Sequence, residues 1–191
     1  MDKKRALVIV DMQNDFVLPN APQSVRGALQ IIPNLQKVLR FFREKKLPVF
    51  HAIREYRADG SDIEKTRLVG FLKQSYCVPN TQGVQIIQEL SPIDGEYRII
   101  KNRFSAFMQT ELDFILRRLE VQEIVVCGIQ YPNCIRATVF DAIALGYDVT
   151  LIRDATGAQT KEVAKANIDD MKNINVECIT TKEILAMMPK S

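Results

Sequence analysis

Val125-Val126-Cys127-Gly128-Ile129-Gln130-Tyr131-Pro132-Asn133-Cys134-Ile135-Arg136-Ala137-Thr138 is the stretch on which the fold turns. Its apolar opening reads as a buried parallel strand, Gly128 and Pro132 punctuate a turn, and a helix follows. Cys134 then falls in the first helical turn. Backbone N–H groups lack helical partners there and the macrodipole is positive, which favours thiolate over thiol. A thiolate beside free N–H donors is a nucleophile with part of its oxyanion hole in place. The plainer reading of Cys134 is a small core hydrophobe, the usual fate of a free cysteine.

Two upstream segments have the same form. Ala6-Leu7-Val8-Ile9-Val10 is an apolar strand that runs into Asp11-Met12-Gln13-Asn14-Asp15-Phe16. Tyr97-Arg98-Ile99-Ile100 delivers Lys101, followed by Asn102-Arg103-Phe104-Ser105-Ala106-Phe107. Open α/β sheets bind ligands in the crevice beyond the carboxyl ends of their strands. Each charge alone is commonly a solvated strand end. Three strand ends that bring Asp11, Lys101 and Cys134 to one rim form a working set. The carboxylate can take the thiol proton, and the ammonium can hold both anions and shift their pKa values.

Between these segments strands alternate with helices. Leu29, Ile32, Leu35, Val38, Leu39 and Phe42 recur at helical spacing over 28–45. Pro48–Ile53 is a strand, and Arg54–Asn80 reads as a long irregular loop, a lid or an oligomer contact. Gln82–Leu90 reads as a short helix before the strand ending at Lys101. Thr110–Leu119 reads as a helix with Thr110 as N-cap and Asp113 at the capping-box distance. Strands at Glu123–Cys127, Tyr147–Ile152 and Val176–Ile179 alternate with helices from Cys134 to near Gly146, over Lys161–Lys172, and over Thr181–Met188. Six strands with helical crossovers predict an α/β protein: three layers, α/β/α, around a parallel sheet. No repeat or linker divides residues 1–191, so one domain is expected.

The motifs D-M-Q-N-D-F, I-K-N-R-F-S-A-F and G-I-Q-Y-P-N-C-I-R-A-T-V-F-D-A, in this order and spacing, resemble the signatures of the isochorismatase-like cysteine hydrolases. That family includes nicotinamidases, N-carbamoylsarcosine amidases and ureidoacrylate amidohydrolases. The resemblance spans nearly the whole chain. It implies a Rossmann-like six-stranded sheet of order 3-2-1-4-5-6, a catalytic triad of Asp11, Lys101 and Cys134, and hydrolysis of a C–N bond through a thioester on Cys134. It also implies a cis peptide before Gln130, which would turn the Gln130 N–H toward the same oxyanion as the Cys134 N–H.

Some positions depart from the family. Nicotinamidases carry a D-x-H pair and a further histidine that hold a metal; here the matching stretch is Glu55-Tyr56-Arg57, and His51 is the only histidine. No metal and no cofactor are expected, and His51 reads as an ordinary strand histidine. Tyr131 replaces the family's usual threonine three residues before the nucleophile and would reshape the pocket. Phe16, Phe104 and Phe107 either wall the substrate, as such aromatics do in the family, or pack the core. Arg54 either meets a substrate carboxylate or forms a salt bridge to Glu55, Asp59 or Asp62.

Composition limits the other classes. A net charge of +3 without a clustered basic face does not suggest nucleic acid. No apolar run has spanning length, so no membrane role is expected. The start of the chain does not read as a signal segment, and the four scattered cysteines suit a reducing compartment, so a cytoplasmic protein is expected. The expected partner is a small-molecule substrate. Family habit and Leu68-Val69-Gly70-Phe71-Leu72 suggest a homo-oligomer, dimer or tetramer. Competing readings are a scaffold that keeps the triad by descent, a vinyl ether hydrolase of isochorismatase type, and a nucleotide-binding module. The vinyl ether enzymes do not keep the cysteine, and no glycine-rich phosphate loop is present.

Overall fold

Leu7 and Ile9 point to one face of the first strand and Ala6, Val8 and Val10 to the other, and each set seeds a separate core cluster. Burial on both sides is why that strand is a continuous apolar run. The computed structural model describes residues 3–187. The strands are β1 (Arg5–Val10), β2 (Val49–Arg54), β3 (Tyr97–Lys101), β4 (Glu123–Ile129), β5 (Asp148–Gly157) and β6 (Glu177–Ile179). All pair in parallel, in the order β3-β2-β1-β4-β5-β6. The parallel six-stranded sheet and its predicted order are therefore both observed.

After β1 comes a single turn of helix, α1 (Asn14–Val17), and then α2 (Ala28–Glu44). α2 lays Leu35, Val38, Leu39 and Phe42 on the Leu7/Ile9 face, together with Phe71 of α3 (Leu68–Lys73) and Ile184 of α7 (Thr181–Met187). The opposite face is covered by α4 (Leu112–Arg118), α5 (Arg136–Ala144) and α6 (Lys161–Asn173) through Leu112, Leu116, Val139 and Met171. Each such side chain, fully buried, contributes about 1.5–3 kcal/mol. Thr160 caps α6 by accepting the Val163 N–H. The end of the expected terminal helix, at Met188, lies outside the described residues.

Three expectations need correction. Residues 82–90 form no α-helix; only Gln88–Leu90 makes a 3-10 turn. The segment instead bonds to the chain after β1: Asn14 N–H to Gln85 O, Asp15 N–H to Gly83 O, and Ile87 N–H to Met12 O. Val84, Ile87 and Leu90 are spaced as on a helix but are buried by that pairing. Second, 54–80 is not irregular throughout, because it contains α3. Phe71 is buried there against Tyr56 and Tyr76, while Val69 and Leu72 remain exposed. Third, β5 continues through the charged Arg153-Asp154 pair, which looks like a strand end. Asp154 is accommodated because its carboxylate accepts the Thr181 N–H at the start of α7 and a bond from Asn34.

Gly128 sets how closely the central strands approach. It stands opposite Val10 with φ of 112°, and a Cβ there would lie 2.3 Å from the Val10 carbonyl oxygen. Gly128→Ala therefore combines left-handed backbone with backbone overlap. A loss of about 3 kcal/mol or more is expected, read as a fall in the urea midpoint at unchanged slope.

Candidate active site

β1 and β4 are the neighbours at which the strand order reverses, and Asp11 and Cys134 lie just beyond their carboxyl ends. Crevices at such switch points are where open α/β sheets take ligands. Asp11 adopts φ of 53°, a left-handed conformation that Asp tolerates better than most residues, and its N–H donates to Ala52 O. Lys101 ends β3, level with Arg54 at the end of β2. Its ammonium reaches back across β2 and lies 2.9 Å from both carboxylate oxygens of Asp11, donating its hydrogen bond to Oδ2. Both residues are buried. Asp11 Oδ1 is buried and accepts no hydrogen bond. The ammonium at 2.9 Å is its ion-pair partner.

Cys134 faces this carboxylate within hydrogen-bonding reach. It sits in a single π-type turn, Tyr131–Ile135, that leads into α5, rather than in the first turn of an α-helix. Gln130 precedes that turn in extended conformation, and its carbonyl accepts the Asn133 and Ile135 N–H groups. The Ile129–Gln130 peptide is cis, and Gln130 borders the cleft. The expected bias toward thiolate does not hold. Burial pushes the Cys134 thiol up and the Asp11 charge adds to this, against the opposing pull of Lys101 and Arg54. Burial and the Asp11 charge thus work against the local advantage of a helix start.

Arg54 is the fourth member of the group. It is fully buried, and its Nη2 donates to Cys134 Sγ at 3.0 Å. Its Nη1 donates to Glu64 Oε1 at 3.0 Å and to the Tyr56 hydroxyl. Its guanidinium also lies over the rings of Tyr56 and Phe104. Arg54 does form a salt bridge, but to Glu64. Glu55 pairs with Arg98, and Asp59 and Asp62 are engaged by Arg57. Burial works against the Glu64 charge, but its own backbone N–H, Arg54 and Tyr56 outweigh it and hold the carboxyl below the usual range. Gln13 locks this corner: its amide accepts the Arg54 N–H and donates to the Arg54 and Val84 carbonyls.

A narrow cleft open to solvent lies above Cys134. Phe16, Arg54, Phe104 and Gln130 border it, together with Asp11 and Cys134. Phe107 and Tyr131 do not. Phe107 stacks on Tyr147 in the core of the α4/α5/α6 face, and Tyr131 is fully buried there with its hydroxyl donating to Arg153 O. Gln23, Val25, Arg67 and Asn133 border the cleft unforeseen. Asn133 adjoins the cysteine, so proximity in sequence was a usable signal. The others come from loops whose return path has no periodic signature.

The residues do not fit a metal. Glu55 and Arg57 are tied up in the ion pairs above, and His51 is buried on β2 with Nε2 2.9 Å from Glu96. Among the described residues no three histidine, cysteine or carboxylate side chains are placed to share an ion. Among them too, no helix is long and apolar enough to cross a membrane.

Fold and site together define a doubly wound α/β protein with a cysteine, an aspartate and a lysine gathered at the switch point of its sheet. The chain belongs to the isochorismatase family, whose domain model matches residues 5–183. It is similar to the crystal structure of an isochorismatase family protein from Desulfovibrio vulgaris, at 45% identity and a TM-score of 0.94 over 97% of this chain and 98% of that one. A probable inactive nicotinamidase of Arabidopsis thaliana is 40% identical over 95% of this chain and 94% of its own length. The N-carbamoylsarcosine amidase of an Arthrobacter species is 33% identical over 88% of this chain and 65% of its own. The protein is thus an isochorismatase-family hydrolase with amidases among its relatives.

Proposed function

We propose that the protein hydrolyses the C–N bond of a small amide or ureide through a thioester on Cys134. The observation that supports this most is the Asp11 carboxylate, 2.9 Å from the Lys101 ammonium and within hydrogen-bonding reach of the Cys134 thiol. When a carbonyl carbon reaches Sγ, Asp11 takes the thiol proton as the S–C bond forms, and the carbonyl π pair moves to oxygen. The N–H groups of Gln130 and Cys134 receive that oxyanion. Collapse breaks the C–N bond, and Asp11 returns its proton to the leaving nitrogen. Water then attacks the thioester with Asp11 again as base, and the S–C bond breaks to restore the thiol. Lys101 holds Asp11 in place between these transfers. Arg54 steadies the sulfur while it carries charge.

The competing reading is a silent family member that binds without cleaving. It is favoured by the resemblance to a protein described as a probable inactive nicotinamidase and by the raised thiol. Ammonia release from a panel of small primary amides, ureides and carbamoyl compounds decides between them. Release that requires Cys134 supports the hydrolase; none across the panel supports the silent member.

The thiol titration makes a separate prediction. Because the Cys134 pKa lies above its ordinary value, its thiolate fraction at pH 7 is smaller than that of a free cysteine. Alkylation by iodoacetamide, followed at Cys134 by peptide mass spectrometry, is expected to be slow at neutral pH and to climb only above about pH 9. A plateau already reached at pH 7 would contradict this description of the site.

A further inference from the structure

Arg54 meets the sulfur with one edge of its guanidinium and is held by the other. Nη2 donates to Cys134 Sγ at 3.0 Å. Nη1 donates to Glu64 Oε1 at 3.0 Å and to the Tyr56 hydroxyl, which itself donates to Glu64 Oε2 at 2.9 Å. The three side chains thus close a ring of hydrogen bonds in which each fixes the next. The Tyr56 ring also lies against the guanidinium, with its centroid 5.4 Å from the guanidinium carbon. Arg54 borders the cleft, whereas Tyr56 and Glu64 are not among the residues that line it. They stand behind the arginine.

We propose that Tyr56 and Glu64 are positioning residues that act on the nucleophile through Arg54, by holding its Nη2 against the Cys134 sulfur. The inference deepens the hydrolase reading and rests on it for the reaction, though not for the state of the thiol. An unheld arginine has many rotamers and would lose that freedom each time it had to meet the sulfur. With one edge fixed, the donor is in place before the thiol proton leaves for Asp11. The Nη2–H···S contact then becomes charge-assisted without any group having to move. Glu64 has a second effect. While the sulfur is a neutral thiol, Glu64 supplies the anion that a buried guanidinium needs. The planar fork matters, because it presents two edges at once; a lysine would offer a single point of charge.

The charged groups that face Cys134 are Asp11, Lys101 and Arg54, so variants that keep every charge isolate positioning. Tyr56→Phe removes one hydroxyl, which burial keeps neutral. Glu64→Asp keeps the carboxylate and withdraws it by one methylene. Arg54 is a cation that lowers this thiol, and either variant loosens its hold on the sulfur. Each is expected to move the pH profile of Cys134 alkylation by iodoacetamide upward by about half a unit, roughly a threefold loss of thiolate. Arg54→Gln should move it further, by about one unit. Adding Tyr56→Phe to Arg54→Gln should then move it no more, since the residue it acts through is gone. Thermal melts run alongside. A merely structural hydrogen bond would lower Tm and leave both single-variant profiles on the parent's, and that result overturns the proposal. So does a Tyr56→Phe shift that persists in full beside Arg54→Gln. On an amide that the protein hydrolyses, both single variants should lower kcat about tenfold at unchanged KM, because neither residue borders the cleft. A raised KM at unchanged kcat would make them binding residues and overturn the proposal. Shifted profiles without ammonia release from any amide uphold the positioning and overturn the hydrolase reading. Release that requires Cys134, with profiles unshifted, does the reverse.

Discussion

Cys134→Ala is expected to abolish turnover, by at least about four decades on whichever amide proves to be the substrate, because the group that forms the covalent intermediate is gone. The fold should survive. The sulfur borders the cleft, and its loss removes one small buried atom and one Arg54 contact. The cost should be about 1 kcal/mol, a fall of a few degrees in Tm for a chain of this size. Arg54 keeps Glu64 and Tyr56 after the change, so its charge is not stranded. The measurement is ammonia release together with a thermal melt. A variant that melts like the parent and still hydrolyses at the parental rate would remove Cys134, and with it the thioester, from the reaction. Cys127 and Cys77 are poor substitutes for it. Cys127 lies wholly within β4, and burial pushes its thiol far up. Cys77 is buried as well, with its thiol raised by burial and by Asp11 and Asp15.

The parts of this site that could be read from the chain are those that depend on a strand's end. Asp11, Lys101 and Cys134 each follow a run of apolar residues, and a parallel sheet brings such ends to one edge. What could not be read depends on which side of the backbone a residue faces. Tyr131 follows Gln130 directly, yet Gln130 borders the cleft while Tyr131 turns into the core. Phe104 and Phe107 are three residues apart, and only Phe104 reaches the cleft. Glu64 and Arg67 stand on a segment with no periodicity before α3, so nothing local announces that it folds back over the thiol. The titration of Cys134 was misjudged for a similar reason. A helix start is a local feature, whereas burial depends on the whole fold and the Asp11 charge comes from a residue more than a hundred positions away in sequence. Residues 82–90 show the same limit for the fold: their three-residue spacing fits a helix, but the bonds go to Met12, Asn14 and Asp15.

Exchanging the members of the Asp11–Lys101 pair should move the Cys134 thiol in opposite directions while reducing turnover both ways. Asp11→Asn removes the anion that raises the thiol and leaves Lys101 and Arg54, which lower it. The alkylation profile should then shift toward neutral pH, giving a more reactive cysteine. Acylation by substrate should nevertheless fall by two to four decades, roughly the contribution of a general acid–base group, because nothing remains to protonate the leaving nitrogen. Lys101→Met removes a cation that lowers the thiol, so the profile should move to still higher pH. It also leaves the Asp11 carboxylate buried without its 2.9 Å partner. Breaking one side of such a pair costs about 3–5 kcal/mol, or roughly 10 °C in Tm here. The double variant Asp11→Asn/Lys101→Met should recover most of that stability, since an amide beside a thioether leaves no buried charge, and should stay inactive. A purely structural ion pair would give the same stability pattern but would leave the thiol titration where it was. Profiles for both single variants that coincide with the parent's would therefore mean that Asp11 and Lys101 do not act on Cys134, and the mechanism would lose both its base and the cation that supports it.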